Sequence, residues 1–243
     1  MPYLSRIWIN PLRRNAQRML GNPQVLHAAI LGGIARQPVT ERVLWRLERD
    51  TPHRAGVLVL TDSSPSWEHL VEQAGWPNAD EPQALVRRYE PLLDKIQRGR
   101  EFAFRLRANP TSATRHPDKP SAAQQQRLAD SPRARGVRVA HRTAQYQLDW
   151  LAKGVPKWGF ELPSTMDGSG DVLLTGRERM TFVKGDGDAD RRRRVVIQTA
   201  TFEGRLRVTD PDLARHSLLN GVGTARAYGC GLITLAPLHP TAG

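Results

Sequence analysis

The chain has 243 residues, enough for one large domain or two small ones with a real core, and its 36 Lys and Arg against 24 Asp and Glu leave a formal net charge of +12. That balance points to a polyanionic partner, nucleic acid before an anionic membrane surface, and no apolar run of about 18 residues or signal-peptide core speaks for a membrane. The single cysteine, Cys230, excludes an internal disulfide and fits a reducing cytoplasm.

Residues 3–9 alternate as a strand does. Asn10-Pro11 supplies an N-cap and a first-turn proline for a short basic helix to Leu20, which carries Arg13, Arg14 and Arg18. Gly21-Asn22-Pro23 stops that helix and caps a second one running to about Ala35. Leu26, Ala29, Ile30 and Ile34 form its buried stripe; His27 falls at the stripe's edge, with Gln24 one turn earlier on the same side. No acidic residue precedes Glu41, whereas Arg6, Arg13, Arg14, Arg18 and Arg36 do. Residues 43–47 and 56–60 read as strands joined by a Thr51-Pro52 turn, 66–73 as a short helix, and 83–96 as an ambiguous stretch containing a closing strand. The order β-α-β-β-α-β describes a ferredoxin-like unit, placed at residues 1–95.

Residues 102–107 alternate cleanly and open a second series. The stretch 111–138 lacks periodicity, is rich in Pro, Ser, Gln and Arg, and reads as a mobile basic loop carrying Arg133, Arg135 and Arg138. Residues 140–153 read as a helix using Ala144, Leu148 and Leu151. Strands follow around 171–182 and 195–208, joined by a turn with Asp186, Asp188, Asp190 and the run Arg191, Arg192, Arg193, Arg194. Asp210-Pro211 opens a helix to about Asn220, and 231–235 is the last strand. The β-α-β-β-α-β order thus recurs over 96–243 without a visible sequence repeat. The fold expected is α+β, with two tandem ferredoxin-like (RRM-like) domains.

Between the last helix and strand lies Gly221-Val222-Gly223-Thr224-Ala225-Arg226-Ala227-Tyr228-Gly229-Cys230-Gly231. Glycine permits positive φ and close backbone approach, so two G-x-G pairs suit an anion cradle; a helix C-cap followed by a tight turn is the alternative. A dinucleotide fingerprint is excluded because Arg226 stands at its last glycine and no βαβ unit follows, and no Gly-Lys-Ser/Thr completes a Walker motif. The triplet Asp186-x-Asp188-x-Asp190 opens like a calcium loop, but Arg191 replaces the glycine and Ile197 the bidentate glutamate, which leaves a solvated turn. No His/Cys pair has zinc spacing, so neither a metal site nor a cofactor is expected. Among the histidines, His53, His116 and His239 lie in turns or tails, His69 and His216 in short amphipathic helices, and His141 beside the basic loop. His27 borders an apolar stripe in a region without acids. Basic surroundings tend to keep such a ring partly neutral, which suits acid–base work near pH 7; a packed core histidine is the plainer reading.

Asn22-Pro23-x-x-x-His27, then Phe104-Arg105-Leu106-Arg107-Ala108-Asn109-Pro110, then Thr201-Phe202-Glu203-Gly204, and finally the double G-x-G loop running into Leu235-Ala236-Pro237-Leu238 occur in this order. Together they resemble the CasE family, the CRISPR repeat-processing endoribonucleases of type I-E systems, across essentially the whole chain. The resemblance implies metal-independent cleavage at the base of a CRISPR repeat RNA hairpin by the RNA's own 2′-hydroxyl, leaving a cyclic phosphate and a 5′-hydroxyl, with the product retained for the Cascade complex. The family's catalytic histidine matches His27. Its usual tyrosine, three residues earlier, is Gln24 here, so the candidates for the second catalytic group are Gln24, Tyr3 or a nearby arginine. RNA contacts are expected from Arg13, Arg14, Arg18, Arg105, Arg107, Arg133, Arg135, Arg138, Arg191, Arg192, Arg193, Arg194 and Arg226, and from Gly221, Gly223, Gly229 and Gly231. A non-catalytic hairpin-binding subunit of the same complex is the second reading, which Gln24 makes conceivable.

Overall fold

The computed structural model describes residues 1–117, 122–130, 136–166, 168–184 and 193–238. Its first part runs β1 (Tyr3–Ile9), α1 (Arg14–Gly21), α2 (Pro23–Leu31), β2 (Leu44–Thr51), β3 (Arg54–Thr61), α3 (Glu68–Ala74) and β4 (Ala84–Arg88). The strands lie in the order β2-β3-β1-β4, each pair of neighbours antiparallel, which is the ferredoxin-like arrangement. Period-2 alternation decides which residues meet the helices. Ile7, Ile9, Trp45, Val57 and Val59 pack with Leu26, Ile30 and Leu70 in one core, whereas Leu4, Leu44, Leu58 and Leu60 turn to the other face and enter a second core. Burial on both faces explains why β3 carries an almost unbroken apolar run, Val57-Leu58-Val59-Leu60. Each such buried side chain contributes about 1.5–3 kcal/mol.

A short helix, α4 (Glu90–Leu93), follows, flanked by the buried Tyr89 and Ile96, which pack into the second core. The second part comprises β5 (Glu101–Ala108), β6 (Thr111–Thr114), α5 (Ala122–Asp130), β7 (Val137–Ala140), α6 (Ala144–Gly154), β8 (Phe160–Glu161), β9 (Val172–Lys184), β10 (Arg193–Val208), α7 (Pro211–Asn220) and β11 (Ile233–Ala236). Its sheet runs β11-β5-β10, with β9 along most of β10 and β8 at the far end. Strands β5, β9, β10 and β11 repeat the ferredoxin-like order, so the fold is α+β with two tandem ferredoxin-like units.

Three local expectations are corrected. The stretch 111–138, read as a mobile loop, contains an antiparallel ribbon of β6 and β7, with Thr111 opposite Ala140 and Thr114 opposite Val137, and α5 between them. Four-residue strands are too short to show a period. Gly136 makes the ribbon possible: it has φ +83°, and a Cβ there would lie 2.6 Å from the Thr114 carbonyl oxygen. Helix α6 therefore starts at Ala144 rather than 140, with the Thr143 hydroxyl accepting from the Tyr146 amide. Helix α2 ends at Leu31 rather than near 35, because a Cβ at Gly33 would lie 2.4 Å from the Trp67 ring and the chain turns there; Gln37 caps the carbonyls of Leu31 and Ile34.

An ion network joins the two sheets. Arg46 is 3% exposed and donates to the carbonyls of Arg105 and Leu232, to the Thr234 hydroxyl and to Glu48, which also receives Arg6 and Arg105. Arg105 reaches Glu203 as well, at 3.1 Å. Buried charges are tolerated when paired and fully hydrogen-bonded, as most of these are. Among the described residues no helix is long and apolar enough to cross a membrane.

Candidate active site

Helix α2 starts where Asn22 Oδ1 accepts from the Gln24 amide and the Asn22 carbonyl from the amides of Val25 and Leu26, while Pro23, which has no N–H, fills the first turn. Leu26 and Ile30 bury one stripe; His27, the next position after Leu26, is half-buried at its edge. From β2, the buried Trp45 donates its indole N–H to His27 Nδ1 at 3.2 Å. Burial lowers the His27 pKa from its ordinary 6.5, so the ring is neutral near pH 7. The far end of α2 is tied by His69, whose Nε2 lies 2.8 Å from the Ala29 carbonyl, a structural role for that histidine.

The glycine loop lies down on the same strand. Gly221, Gly223, Gly229 and Gly231 all have positive φ. A Cβ at Gly229 would sit 2.7 Å from the Trp45 ring, and one at Gly221 would sit 2.8 Å from Leu44. The Val222 amide donates to Gly231 and the Gly231 amide to Arg107, which closes the loop at its base. Within it, the amides of Gly223, Thr224 and Ala225 have no acceptor among the described residues. Cys230 is buried and its thiol is pushed up to about 12, chiefly by burial, so it packs rather than reacts. A short 3-10 helix, Arg226–Tyr228, packs against α2 and β2. Burial, and next the neighbouring Arg42 cation, lower the Arg226 pKa; among the described residues neither arginine pairs with a carboxylate. Beside them a cleft of about 260 Å³ opens between α1, α2 and β9, lined by Met19, Leu26, Trp45, Arg49, Phe182 and Tyr228. The Tyr228 and Phe182 rings meet at 4.8 Å.

The other candidates fall in different places. Gln24 shares the His27 face of α2, one turn away. Tyr3 opens β1 opposite Thr61 and Arg88, and among the described residues no hydrogen bond joins it to His27. Arg14 and Arg18 are exposed on α1, while Arg13 donates to the Gly75 carbonyl. Arg105 belongs to the inter-sheet network, and Arg107, nearly buried, pairs with Glu178. Arg138 is exposed on β7 and Arg194 on β10, and Arg193 begins that strand. Arg133, Arg135, Arg191 and Arg192 lie outside the described residues. Sequence reasoning missed Trp45, Arg42 and Arg49. Trp45 reads as one more apolar strand residue, and no spacing links it to a histidine on another element.

A half-buried histidine near a loop whose amides and arginines, among the described residues, lack acceptors and carboxylate partners, on two ferredoxin-like units, is a site suited to holding a phosphate backbone. A family model described as CRISPR associated protein matches residues 2–237, and the chain belongs to that family, in its Cse3/CasE endoribonuclease branch. It is 33% identical over 241 residues to the CRISPR-associated endoribonuclease Cse3 of Thermus thermophilus, covering 97% of this chain and 100% of that protein. Against the CRISPR system Cascade subunit CasE of Escherichia coli K12 it is 27% identical, covering 80% and 89%. A solved structure of Thermus thermophilus Cse3, bound to an RNA representing a pre-cleavage complex, superposes with TM-score 0.71 at 31% identity, covering 97% of this chain and 99% of that one. Cas6e from Escherichia coli shares the fold at TM-score 0.55 and 22% identity, covering 97% and 100%.

Proposed function

We propose that this protein binds a CRISPR repeat RNA hairpin in the cytoplasm, cuts precursor CRISPR RNA at the hairpin's base without a metal ion, and keeps the product as a subunit of a type I-E Cascade complex. The catalytic histidine belongs to a first domain over residues 1–95, and the glycine loop and long hairpin to a second over 96–243. One observation carries the reading: His27, neutral and held by one ring nitrogen, hydrogen-bonds Trp45, on whose ring Gly229 of the glycine loop packs. Relatives named as CRISPR endoribonuclease and Cascade subunit support the substrate and the assembly.

The nucleophile is the RNA's own 2′-hydroxyl, so the protein aligns it with the adjacent phosphate, moves protons and stabilises added charge. Arg226 and Arg42, two like charges without a carboxylate among the described residues, are relieved by a phosphate between them, and the amides of 223–225, without an acceptor among those residues, add donors. His27 meets the scissile phosphate through Nε2, Nδ1 being occupied. Gln24, on the same helix face, orients the ribose hydroxyl; it lacks a phenol's proton, so it positions rather than titrates. Exposed Arg14, Arg18 and Arg194, with the rest of the Arg191–Arg194 run, engage phosphates and 2′-hydroxyls of the stem.

Incubation with the host's repeat RNA in EDTA tests this. The expected result is one cut per repeat, ending in a cyclic phosphate and a 5′-hydroxyl, and no cut when the ribose at the site is 2′-deoxy although binding persists. A cut that needs added Mg²⁺, or that ignores the deoxy substitution, contradicts the chemistry. Tight hairpin binding with no cut under any condition would instead support the binding-only reading that Gln24 motivates.

A further inference from the structure

We propose that Trp45 is a positioning residue of the cleavage reaction: its indole N–H holds His27 by Nδ1 and so commits the ring to approach the RNA as a hydrogen-bond donor through Nε2. The inference rests on the reading of His27 as the catalytic histidine. An indole N–H donates and never accepts. The 3.2 Å contact therefore requires a lone pair on Nδ1, and in a neutral imidazole the single ring hydrogen then sits on Nε2. A base for the 2′-hydroxyl needs a free lone pair, and the one this tautomer possesses is already in use. What remains is Nε2–H, which suits the departing 5′-oxygen. A neutral imidazole acting as an electrophile is an established catalytic state.

The indole is itself held firmly enough to impose this geometry. Trp45 is 2% exposed, stands opposite Val59 in the register of β2 with β3, and packs in the core beneath α2. The glycine loop closes over its ring because residue 229 has no side chain; a Cβ there would lie 2.7 Å from Cζ3 and 3.0 Å from Cη2. Packing thus runs from the loop to the indole, and a hydrogen bond runs from the indole to the imidazole. The G-x-G pair at 229–231 acquires a role in aiming the histidine.

The chemical step balances as a transesterification. The P–O2′ bond forms and the P–O5′ bond breaks. The 2′-hydroxyl proton leaves to water, the 5′-oxygen takes its hydrogen from Nε2, and Nε2 regains one from water. Nothing is oxidised or reduced.

Two measurements test the inference. Nitrogen-15 NMR of the wild-type protein near pH 7 should show His27 with an unprotonated Nδ1 and a protonated Nε2. Single-turnover cleavage should then be compared for wild type, Trp45→Phe, Gly229→Ala and His27→Ala. The repeat RNAs used should carry either oxygen or sulfur at the scissile 5′ position, because a 5′-thiolate leaves without a proton. Trp45→Phe should slow the oxygen substrate by about tenfold or more, leave the sulfur substrate and hairpin affinity near wild type, and move His27 away from the pure Nε2–H form. Gly229→Ala should likewise slow the oxygen substrate more than the sulfur one and shift the His27 tautomer, since the new Cβ presses on the indole. A wild-type His27 carrying its hydrogen on Nδ1 overturns the inference without any variant, so a folding failure of Trp45→Phe does not shield it. Equal slowing of both substrates, or none, overturns it too. If His27→Ala is inactive while Trp45→Phe behaves as wild type, Trp45 alone loses its role. If His27→Ala cuts the oxygen substrate at the wild-type rate, the reading of His27 falls instead.

Discussion

At the scale of single residues, the same burial that keeps His27 neutral makes it a small liability in acid. Its folded pKa lies below the ordinary 6.5, so between those two values the unfolded chain binds a proton that the folded chain does not. The stability concerned is complete above about pH 6.5 and is lost as pH falls through the lowered folded value. Between pH 7.5 and 5, the Tm of wild type should therefore fall more than that of His27→Gln, in which this group is absent; parallel curves would mean that burial does not penalise the imidazolium. The residue was legible in the sequence because the edge of an apolar helical stripe, a region without acids and the Asn22-Pro23-x-x-x-His27 spacing all coincide there. Trp45 was not legible. Its contact spans 18 residues and depends on how α2 lies across β2, which no local pattern encodes. Arg105 and Arg107 show the reverse case: they sit in a recognisable string, but their carboxylate partners, Glu48, Glu203 and Glu178, arrive from three other strands.

Among the elements, the proposed function assigns the work of binding to the long β9–β10 hairpin and the glycine loop. Both long strands of the hairpin were legible in the sequence, joined by a turn, whereas the four-residue β6 and β7 stayed hidden because so few residues show no period. The loop was recognisable as a loop from its glycines. What it rests on, Leu44 and Trp45 of a distant strand, follows only from tertiary packing. Replacing Arg191–Arg194 by alanine should weaken hairpin binding and flatten its salt dependence, the slope of log K against log salt falling by about 0.7–0.9 for each phosphate that is no longer neutralised. Binding titrations at several salt concentrations check this, and an unchanged slope would make the run a solvated turn. Cleavage of bound RNA at saturating protein should change little, because the reacting groups sit on α2 and the loop.

For the whole molecule, the decisive feature is that the first sheet buries side chains on both faces: Leu4, Leu44, Leu58 and Leu60 share a core with Phe102, Phe202 and Leu232 of the second unit. The Arg46–Glu48–Arg105–Glu203 network crosses the same boundary. Removing one partner of such a buried set leaves the other charge uncompensated, so Glu48→Ala should cost roughly 3–5 kcal/mol. Denaturant melts should show both units lost in one transition at a lower midpoint; a separate early transition would mean that the units are held together by something else. With the units locked, the proposed function draws on the histidine of the first and the glycine loop of the second, both resting on Trp45, and RNA binding and cutting then become separable properties. The direct test is single-turnover cleavage of the repeat hairpin by His27→Ala in EDTA, with hairpin affinity measured on the same preparation. The expected result is a folded variant that binds the hairpin almost as wild type does while its cleavage rate falls by about 10² or more; cleavage at the wild-type rate would contradict the account.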